Sequence, residues 1–490
     1  MREEEREALA AYSISCCNVF PLTSRCNLRC LFCSHAGNPP QFKIPFLPDR
    51  AKHQWEAAMD LLDPGRKIVI GESATRIPEG EPFLHPELFS VLAALRRRFP
   101  RTLIQVTTNG TCLKGRAAQL LELNPLELVV SLNTADPLLR QRLLGDNDPE
   151  RVLQGVKELG EKGVSFHGSV VFLPHHMGWE DLKKTISFLE SCGARTVRVV
   201  MPGISRRAAK RLGGEAEKFP SLAEWHYFAS RLEEERQRYS LPVLCEPPAW
   251  LVGGKEEECL FPRIAGVIAG SPAAEAGVKP GEYIQAVEGE KVFSRADAFQ
   301  RILKAASPRV LLGSEPREPE PMGPEFLEPE GRSKVCSGLN SRGSRTLELR
   351  EAVICKAAGQ ASGLAMDYDF DWRQALRLQR VLQRGPSLLL TSVLGSKVLQ
   401  AAVKKLGGDS SGCFFHVAKN RFLGGNIGCA GLLTVSDLEA ACREFKKDRP
   451  EAKISQVVIP EIAFDPWGRD LTGTGFWELE EAAGVSVVAV

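Results

Sequence analysis

Cys26-Asn27-Leu28-Arg29-Cys30-Leu31-Phe32-Cys33 puts three cysteines into one short segment, directly after an apolar run, Ile14–Phe20, that reads as a strand. Three thiolates in so short a loop can converge on one metal centre, and soft sulfur ligands favour iron–sulfur clusters or zinc. A structural zinc site asks for a fourth ligand and usually for two paired Cys-x-x-Cys elements. Only one such pair stands here, with His35 the sole nearby alternative. Three ligands for four irons leave one iron open, which suits a cluster that also binds a substrate.

Outward from this loop, strand-like runs recur at Lys67–Ile70, Leu103–Thr107, Leu128–Leu132, Ser169–Phe172 and Thr196–Val200. Between them lie helix-like stretches at Glu87–Arg98, Gly115–Leu123, Asp148–Lys162 and Trp179–Ser191. Strands alternating with helices argue for parallel βαβ units. With Ile14–Phe20 counted, the run predicts an α/β fold, a partial (β/α) barrel of six units over residues 1–245, with an open doubly wound sheet as the alternative.

The cysteine spacing resembles the signature of the radical S-adenosylmethionine (radical SAM) superfamily, Cys-x3-Cys-x-aromatic-Cys, with Phe32 as the aromatic. Glu79-Gly80-Glu81-Pro82 resembles the family's Gly-Gly-Glu-Pro element, except that Glu79 stands where the family has glycine. The resemblance covers residues 12 to 240 or so and implies the following. Cys26, Cys30 and Cys33 ligate three irons of a 4Fe-4S cluster, and S-adenosyl-L-methionine chelates the fourth. One electron from the reduced cluster then gives methionine and a 5′-deoxyadenosyl radical that abstracts a substrate hydrogen. Gly80, Glu81 and Pro82 hold the methionine amino group, with Glu72 as the alternative acid and Glu81 preferred. Asn109 stands at one strand end; at the next, Ser131 and Asn133 bond the ribose or carboxylate. Gly168 to Phe172, with Val170 at its middle, packs the adenine, and Val199 to Gly203 closes the pocket. The resemblance also implies an electron donor of flavodoxin or ferredoxin type.

Ala269-Gly270-Ser271-Pro272-Ala273-Ala274-Glu275-Ala276-Gly277 is similar to the core of a PDZ domain, and this unit is placed at 257–355. Ser271 can cap a short helix with Pro272 at its first position. Such a domain implies a peptide or protein partner bound by strand addition. No clear Gly-Leu-Gly-Phe loop is visible, and Cys259-Leu260-Phe261-Pro262 is a poor substitute. Residues 313–344 carry an insertion in which six Glu and five Pro fall between Glu315 and Glu330, a composition that cannot bury enough apolar surface to fold alone. Residues 356–490 read as a further α/β domain, with strands at Ser387–Val393 and Ile454–Ile459 and helices at Ser396–Leu406 and Ser436–Lys447. The stretch from Asn420 to Thr434 looks like the uncharacterised domain of a family of PDZ-containing bacterial iron–sulfur oxidoreductases, in which the PDZ unit usually precedes the barrel.

Composition bounds the alternatives. A net charge of +2 recruits neither nucleic acid nor anionic lipid, and no run of about 18 apolar residues suggests a membrane span. The charged start Met1–Glu7 lacks an apolar signal core, so a cytoplasmic location is expected, and there the 14 cysteines should not form a disulfide framework. Two function classes remain: an enzyme, and an iron–sulfur scaffold or maturation factor that holds a partner through its PDZ-like unit.

Overall fold

The computed structural model describes residues 3–73, 76–211, 219–253, 259–316, 349–356, 361–407 and 412–490. Strands β1 (Ile68–Ile70), β2 (Ile104–Thr108), β3 (Leu126–Ser131), β4 (Phe166–Val171), β5 (Val197–Val200) and β6 (Val243–Glu246) form one sheet in chain order, every pair parallel. Burial alternates along β4, β5 and β6: Phe166, Gly168 and Val170 of β4 are buried under helices, whereas His167, Ser169 and Val171 are half-buried and face the concave side. The helices between strands follow from the sequence. Helix Pro149–Lys162 starts where Asp148 accepts a hydrogen bond from the Arg151 amide (3.3 Å), with Pro149 at its first position. Its Val152, Val156 and Leu159 are fully buried at helical spacing. These pieces make the expected partial barrel of six parallel strands.

One strand is a helix instead. Residues Glu3–Cys17 are helical, and only the single bridge Val19↔Val69 attaches the following segment to the sheet. Glu3, Glu4 and Glu5 sit in the first turn, where acids suit the helix dipole, and Leu9, Ala10, Ser13 and Ile14 form one buried face. Cys16 and Cys17 are therefore exposed at a helix end, not on a barrel strand. The sixth strand of the sheet is Val243–Glu246.

The second unit holds β7 (Gly266–Val267), β8 (Tyr283–Val287), β9 (Glu290–Lys291), β10 (Arg309–Gly313), β11 (Leu349–Val353) and β12 (Leu364–Ala365). One antiparallel sheet runs β11-β10-β8-β9, and β12 pairs with β7. Ser271 caps helix Pro272–Glu275 as expected, accepting the Ala274 amide at 3.3 Å, and helix Arg295–Lys304 packs on the sheet. Leu364 belongs to this unit's core with Ile264, Ile284 and Leu312. The unit therefore extends past residue 355, because a strand nearly a hundred positions downstream completes it. From residue 317 to 348 the Pro- and Glu-rich insertion lies outside the described residues.

The C-terminal unit is a parallel sheet in the order β14-β13-β15-β16, from β13 (Ser387–Thr391), β14 (Cys413–Val417), β15 (Gln456–Ile459) and β16 (Ser486–Ala489). It grips the barrel through the glycine-rich stretch. Gly424 and Gly425 both take positive φ, and a Cβ on Gly425 would stand 1.9 Å from the Ile204 carbonyl oxygen. Asn426 bridges the same place: its Oδ1 accepts the Ile204 amide (2.7 Å) and its Nδ2 donates to the carbonyls of Pro202 (2.9 Å) and Pro220 (3.0 Å). The two glycines thus serve a turn and a close domain contact.

Candidate functional site

The cysteine loop leaves the barrel beside β1, where the Phe20 amide bonds the Val69 carbonyl at 2.7 Å. It is then held against the end of helix Pro137–Leu144: the Arg29 amide donates to Leu144 O (2.9 Å) and the Leu31 amide to Leu143 O (2.8 Å). A turn in which the Cys33 amide reaches the Cys30 carbonyl (3.2 Å) separates the last two cysteines. Cys26 is exposed, and Cys30 and Cys33 are half-buried. The three thiols lie near enough to repel one another as thiolates. Burial, and then the charges of Cys33 and Cys26, push Cys30 up to about 12 against the pull of Arg140. Three such sulfurs ionise together when a cationic core sits among them. Among the described residues no three His, Cys, Asp or Glu side chains close on a single metal ion. Three soft thiolates from one short loop are a donor set that would fit an iron–sulfur cluster. His35, the alternative zinc ligand read from the sequence, has its Nε2 3.3 Å from Ser73 Oγ.

The structure brings Gly80-Glu81-Pro82 alongside this loop. The Gly80 amide donates to Thr23 O and the Glu81 amide to Arg25 O, both at 2.7 Å, so the two segments run side by side up to Cys26. A Cβ on Gly80 would stand 1.9 Å from the Arg25 carbonyl oxygen, which is why this position takes no side chain. Glu81 is 2% exposed, and both of its oxygens are used internally. Oε1 accepts from Thr108 Oγ1 (2.7 Å) and the Phe83 amide (3.1 Å), and Oε2 from the Asn109 amide (2.6 Å). Burial pushes its pKa up to about 6 against those bonds. The side chain therefore ties the loop to the end of β2. Glu72 is half-buried. Its Oε1 accepts from Gln105 Nε2 (2.8 Å) and Thr107 Oγ1 (3.0 Å), both on the concave wall, and no hydrogen bond to Oε2 occurs among the described residues.

The other expected residues divide. Asn109 joins the site: its Nδ2 lies 3.8 Å from Cys26 Sγ and 3.0 Å from Asn27 Oδ1. Ser131 ends β3 on the concave face, half-buried. Asn133, at φ 64°, is 3% exposed and satisfied within the sheet, its Oδ1 accepting the Val171 amide (2.8 Å) and its Nδ2 donating to Ser131 O (3.1 Å). Val170 is fully buried on the helix side, so Ser169 and Val171 are the concave-facing residues of β4. Sequence reading missed Arg140. This guanidinium is 0% exposed and donates to Asp146 Oδ2 (2.6 Å), Leu132 O (2.5 Å) and Asn109 O (2.7 Å), placing a fixed cation behind Cys30 and Glu81. It also missed a line of charge on the concave wall, where Arg198 holds Glu246 with two 2.7 Å bonds.

In the PDZ-like unit, the strand beside β7 is β12, Leu364–Ala365. The amides of Ala265 and Ile268, on either side of β7, donate to the carbonyls of Ala365 and Gly363, both at 2.9 Å. The flanking chain wraps helix Arg295–Lys304 at both ends: Lys356 Nζ reaches Leu303 O (3.0 Å), and Asp369 Oδ1 accepts the Ala296 amide (2.9 Å).

Residues 20–189 match the model of the Radical SAM superfamily, and residues 263–312 that of the PDZ domain. The chain is 32% identical over 145 residues to a GTP 3′,8-cyclase of Aquifex aeolicus, spanning 29% of this chain and 43% of that protein. It is 30% identical over 145 residues to the GTP 3′,8-cyclase of Peptoclostridium acidaminophilum, spanning 29% and 42% respectively. The chain thus spans less than half the length of these relatives. Among solved structures, Streptococcus suis SuiB bound to S-adenosylmethionine aligns with TM-score 0.37 and 19% identity, over 48% of this chain and 51% of that one. No helix among the described residues is long and apolar enough to cross a membrane.

Proposed function

With residues 20–189 forming a radical SAM domain, we propose that this chain reductively cleaves S-adenosylmethionine and uses the product to remove a hydrogen atom from a substrate. The observation that carries the proposal is the pairing of residues 80–81 with 23–25. It sets the glycine-bearing element against the loop of Cys26, Cys30 and Cys33, with Asn109 touching both. Cys26, Cys30 and Cys33 would hold a 4Fe-4S cluster, which would supply the electron for the cleavage. The chain's own residues do the rest. Gly80 leaves backbone room, Glu72 offers a carboxylate oxygen to an amino group, and Ser131 offers a hydroxyl. Glu81 and Arg140 hold β2 and the loop in register.

Half-buried polar and charged side chains on the concave wall suit a polar substrate, one reached after a flavodoxin- or ferredoxin-type donor has supplied the electron. The test is direct. Anaerobically reconstituted protein with dithionite should release 5′-deoxyadenosine from S-adenosylmethionine, and Cys26→Ala should release none. A loaded cluster without cleavage, in the presence of candidate partners, would hand the reading to the iron–sulfur scaffold. That second reading draws on helix Arg295–Lys304 of the PDZ-like unit, where Phe299 (39% exposed) and Leu303 (44% exposed) stand one helical turn apart. A peptide with a free C-terminus should bind there more tightly than its amidated form, and Leu303→Asp should abolish the difference.

A further inference from the structure

We propose that Arg76 is a positioning residue through which the C-terminal domain sets the cofactor-holding segment of the barrel. Arg76 lies in the loop after β1, four residues before Gly80, and is 7% exposed. Every partner of its guanidinium among the described residues belongs to the other domain. Its Nη2 stands 3.2 Å from Asp465 Oδ2 and donates to the carbonyls of Arg469 and Asp470. Burying a cation this deeply is costly unless it is paired and bonded, so the arrangement serves docking and does nothing for the barrel's own core.

The receiving turn is rigid. Asp465 Oδ1 accepts the amides of Trp467 (3.0 Å) and Arg469 (2.8 Å). Asp470, fully buried, accepts the amides of Thr472 (2.8 Å) and Thr474 (3.1 Å) through one oxygen and that of Val435 (2.7 Å) through the other. That last bond anchors the turn to the start of helix Val435–Asp448. On the barrel side the chain from Arg76 to Glu81 is equally fixed. The Glu79 amide donates to Ser73 Oγ (3.1 Å), Glu79 Oε1 accepts the Leu22 amide (3.1 Å), and Gly80 and Glu81 pair with Thr23 and Arg25. The segment following the cysteine loop meets the same turn, the Lys43 amide donating to Leu471 O at 2.8 Å. Two carbonyls and a carboxylate converge on this one charged nitrogen, which holds the loop at a fixed distance from the turn. The C-terminal domain is thereby part of the cofactor site without touching it.

The inference rests on the reading that residues 80–82 hold S-adenosylmethionine. Full-length wild type, Arg76→Met, Arg76→Lys and Asp465→Asn are compared after anaerobic reconstitution. The readouts are iron and sulfide content, hydrogen exchange over residues 76–84, and S-adenosylmethionine affinity by equilibrium dialysis. Arg76→Met should keep wild-type iron, exchange faster over 76–84 and bind about tenfold more weakly or worse, with Arg76→Lys partly restoring affinity. Wild-type affinity in Arg76→Met overturns the proposal. If that variant loses its cluster, Asp465→Asn decides, because it keeps the bonds of Oδ1: weaker binding on a full cluster supports the proposal, and unchanged affinity or a lost cluster overturns it. Should wild type itself fail to bind S-adenosylmethionine, the reading of the site falls. The Arg76 link is then judged by exchange alone, and unchanged exchange in Arg76→Met refutes it.

Discussion

The six-stranded sheet of the barrel and the four-stranded sheet of the C-terminal domain are both parallel and both alternate with helices, yet they bury their strands differently. In β13 and β15 every residue is buried, because elements cover both faces of the central strands. In β4, β5 and β6 every second residue is only half-buried. Those residues include His167, Ser169, Arg198 and Glu246, and the neighbouring strands add Thr107, Glu127 and Ser131. A parallel strand that alternates in this way has a wet face, and here that face lines the concave wall below the cysteine loop. The contrast separates a sheet built to pack from one built to hold something.

The strongest way to break the comparison is to remove the cation that belongs to neither pattern. Arg140 is as buried as any core leucine but satisfies Asp146 and two strand-end carbonyls at the rim of the concave wall. Arg140→Ala leaves Asp146 buried and unpaired and should cost about 4 kcal/mol. Denaturant unfolding followed by a probe in the barrel would show it, and a loss under about 1 kcal/mol would mean that water replaces the guanidinium.

A leucine pair measures the two faces next. Leu390 of β13 is 1% exposed in the C-terminal core, whereas Leu244 of β6 is half-buried on the concave side. Leu390→Ala should destabilise its domain by about 3 kcal/mol, and Leu244→Ala its own by about 1 kcal/mol or less. Equal losses would show that the concave wall is packed as a core.

The barrel was legible where apolar runs of strand length stood between helical periods, so β1 to β5 and their helices fall close to expectation. Val243–Glu246 was not legible, since four residues between Pro242 and the pair Pro247-Pro248 carry no period to distinguish them from a loop. Ile14–Phe20 misled because its apolar residues read equally well as a strand. The deciding signal was the acidic first turn and the spacing of Leu9, Ser13 and Ile14. The cysteines announce themselves by spacing, but Arg140 cannot, because its partners at 109, 132 and 146 meet it only after the barrel closes. Gly363-Leu364-Ala365-Met366 was hidden for a related reason, separated from β7 by the long Pro- and Glu-rich insertion.

Acid sharpens the comparison at the foot of the concave wall. Burial alone would raise the Glu127 carboxyl, but the hydrogen bond from His167 (3.3 Å) and the charge of Lys67, whose Nζ is 2.8 Å away, hold it at about 2. Gln105 shares the same ammonium through a 2.7 Å bond and carries no charge. A carboxyl depressed on folding contributes stability above its ordinary value near 4.5, and that contribution is lost as pH falls toward 2. Between pH 5 and pH 3 wild type should lose about 2 kcal/mol that Glu127→Gln does not. Parallel acid titrations of stability in the two proteins would refute the assignment.

The smallest test uses one residue type on both sheets. Ser387 of β13 is 0% exposed; its hydroxyl donates to Gly385 O (2.9 Å) and receives Gln456 Nε2 at 2.8 Å. Ser169 occupies a concave-facing position of β4, half-buried. Ser387→Ala leaves the Gln456 amide with the Val381 carbonyl (2.7 Å) as its remaining partner and should cost about 1 kcal/mol. Ser169→Ala should change stability by less than about 0.5 kcal/mol, because water takes the place of the hydroxyl. If Ser169 instead contributes nothing to stability but its loss weakens S-adenosylmethionine or substrate binding, the wet face is confirmed as the working one. If its loss destabilises the barrel as much as Ser387→Ala destabilises the C-terminal domain, half-burial in the barrel marks a second core and the distinction between the sheets fails.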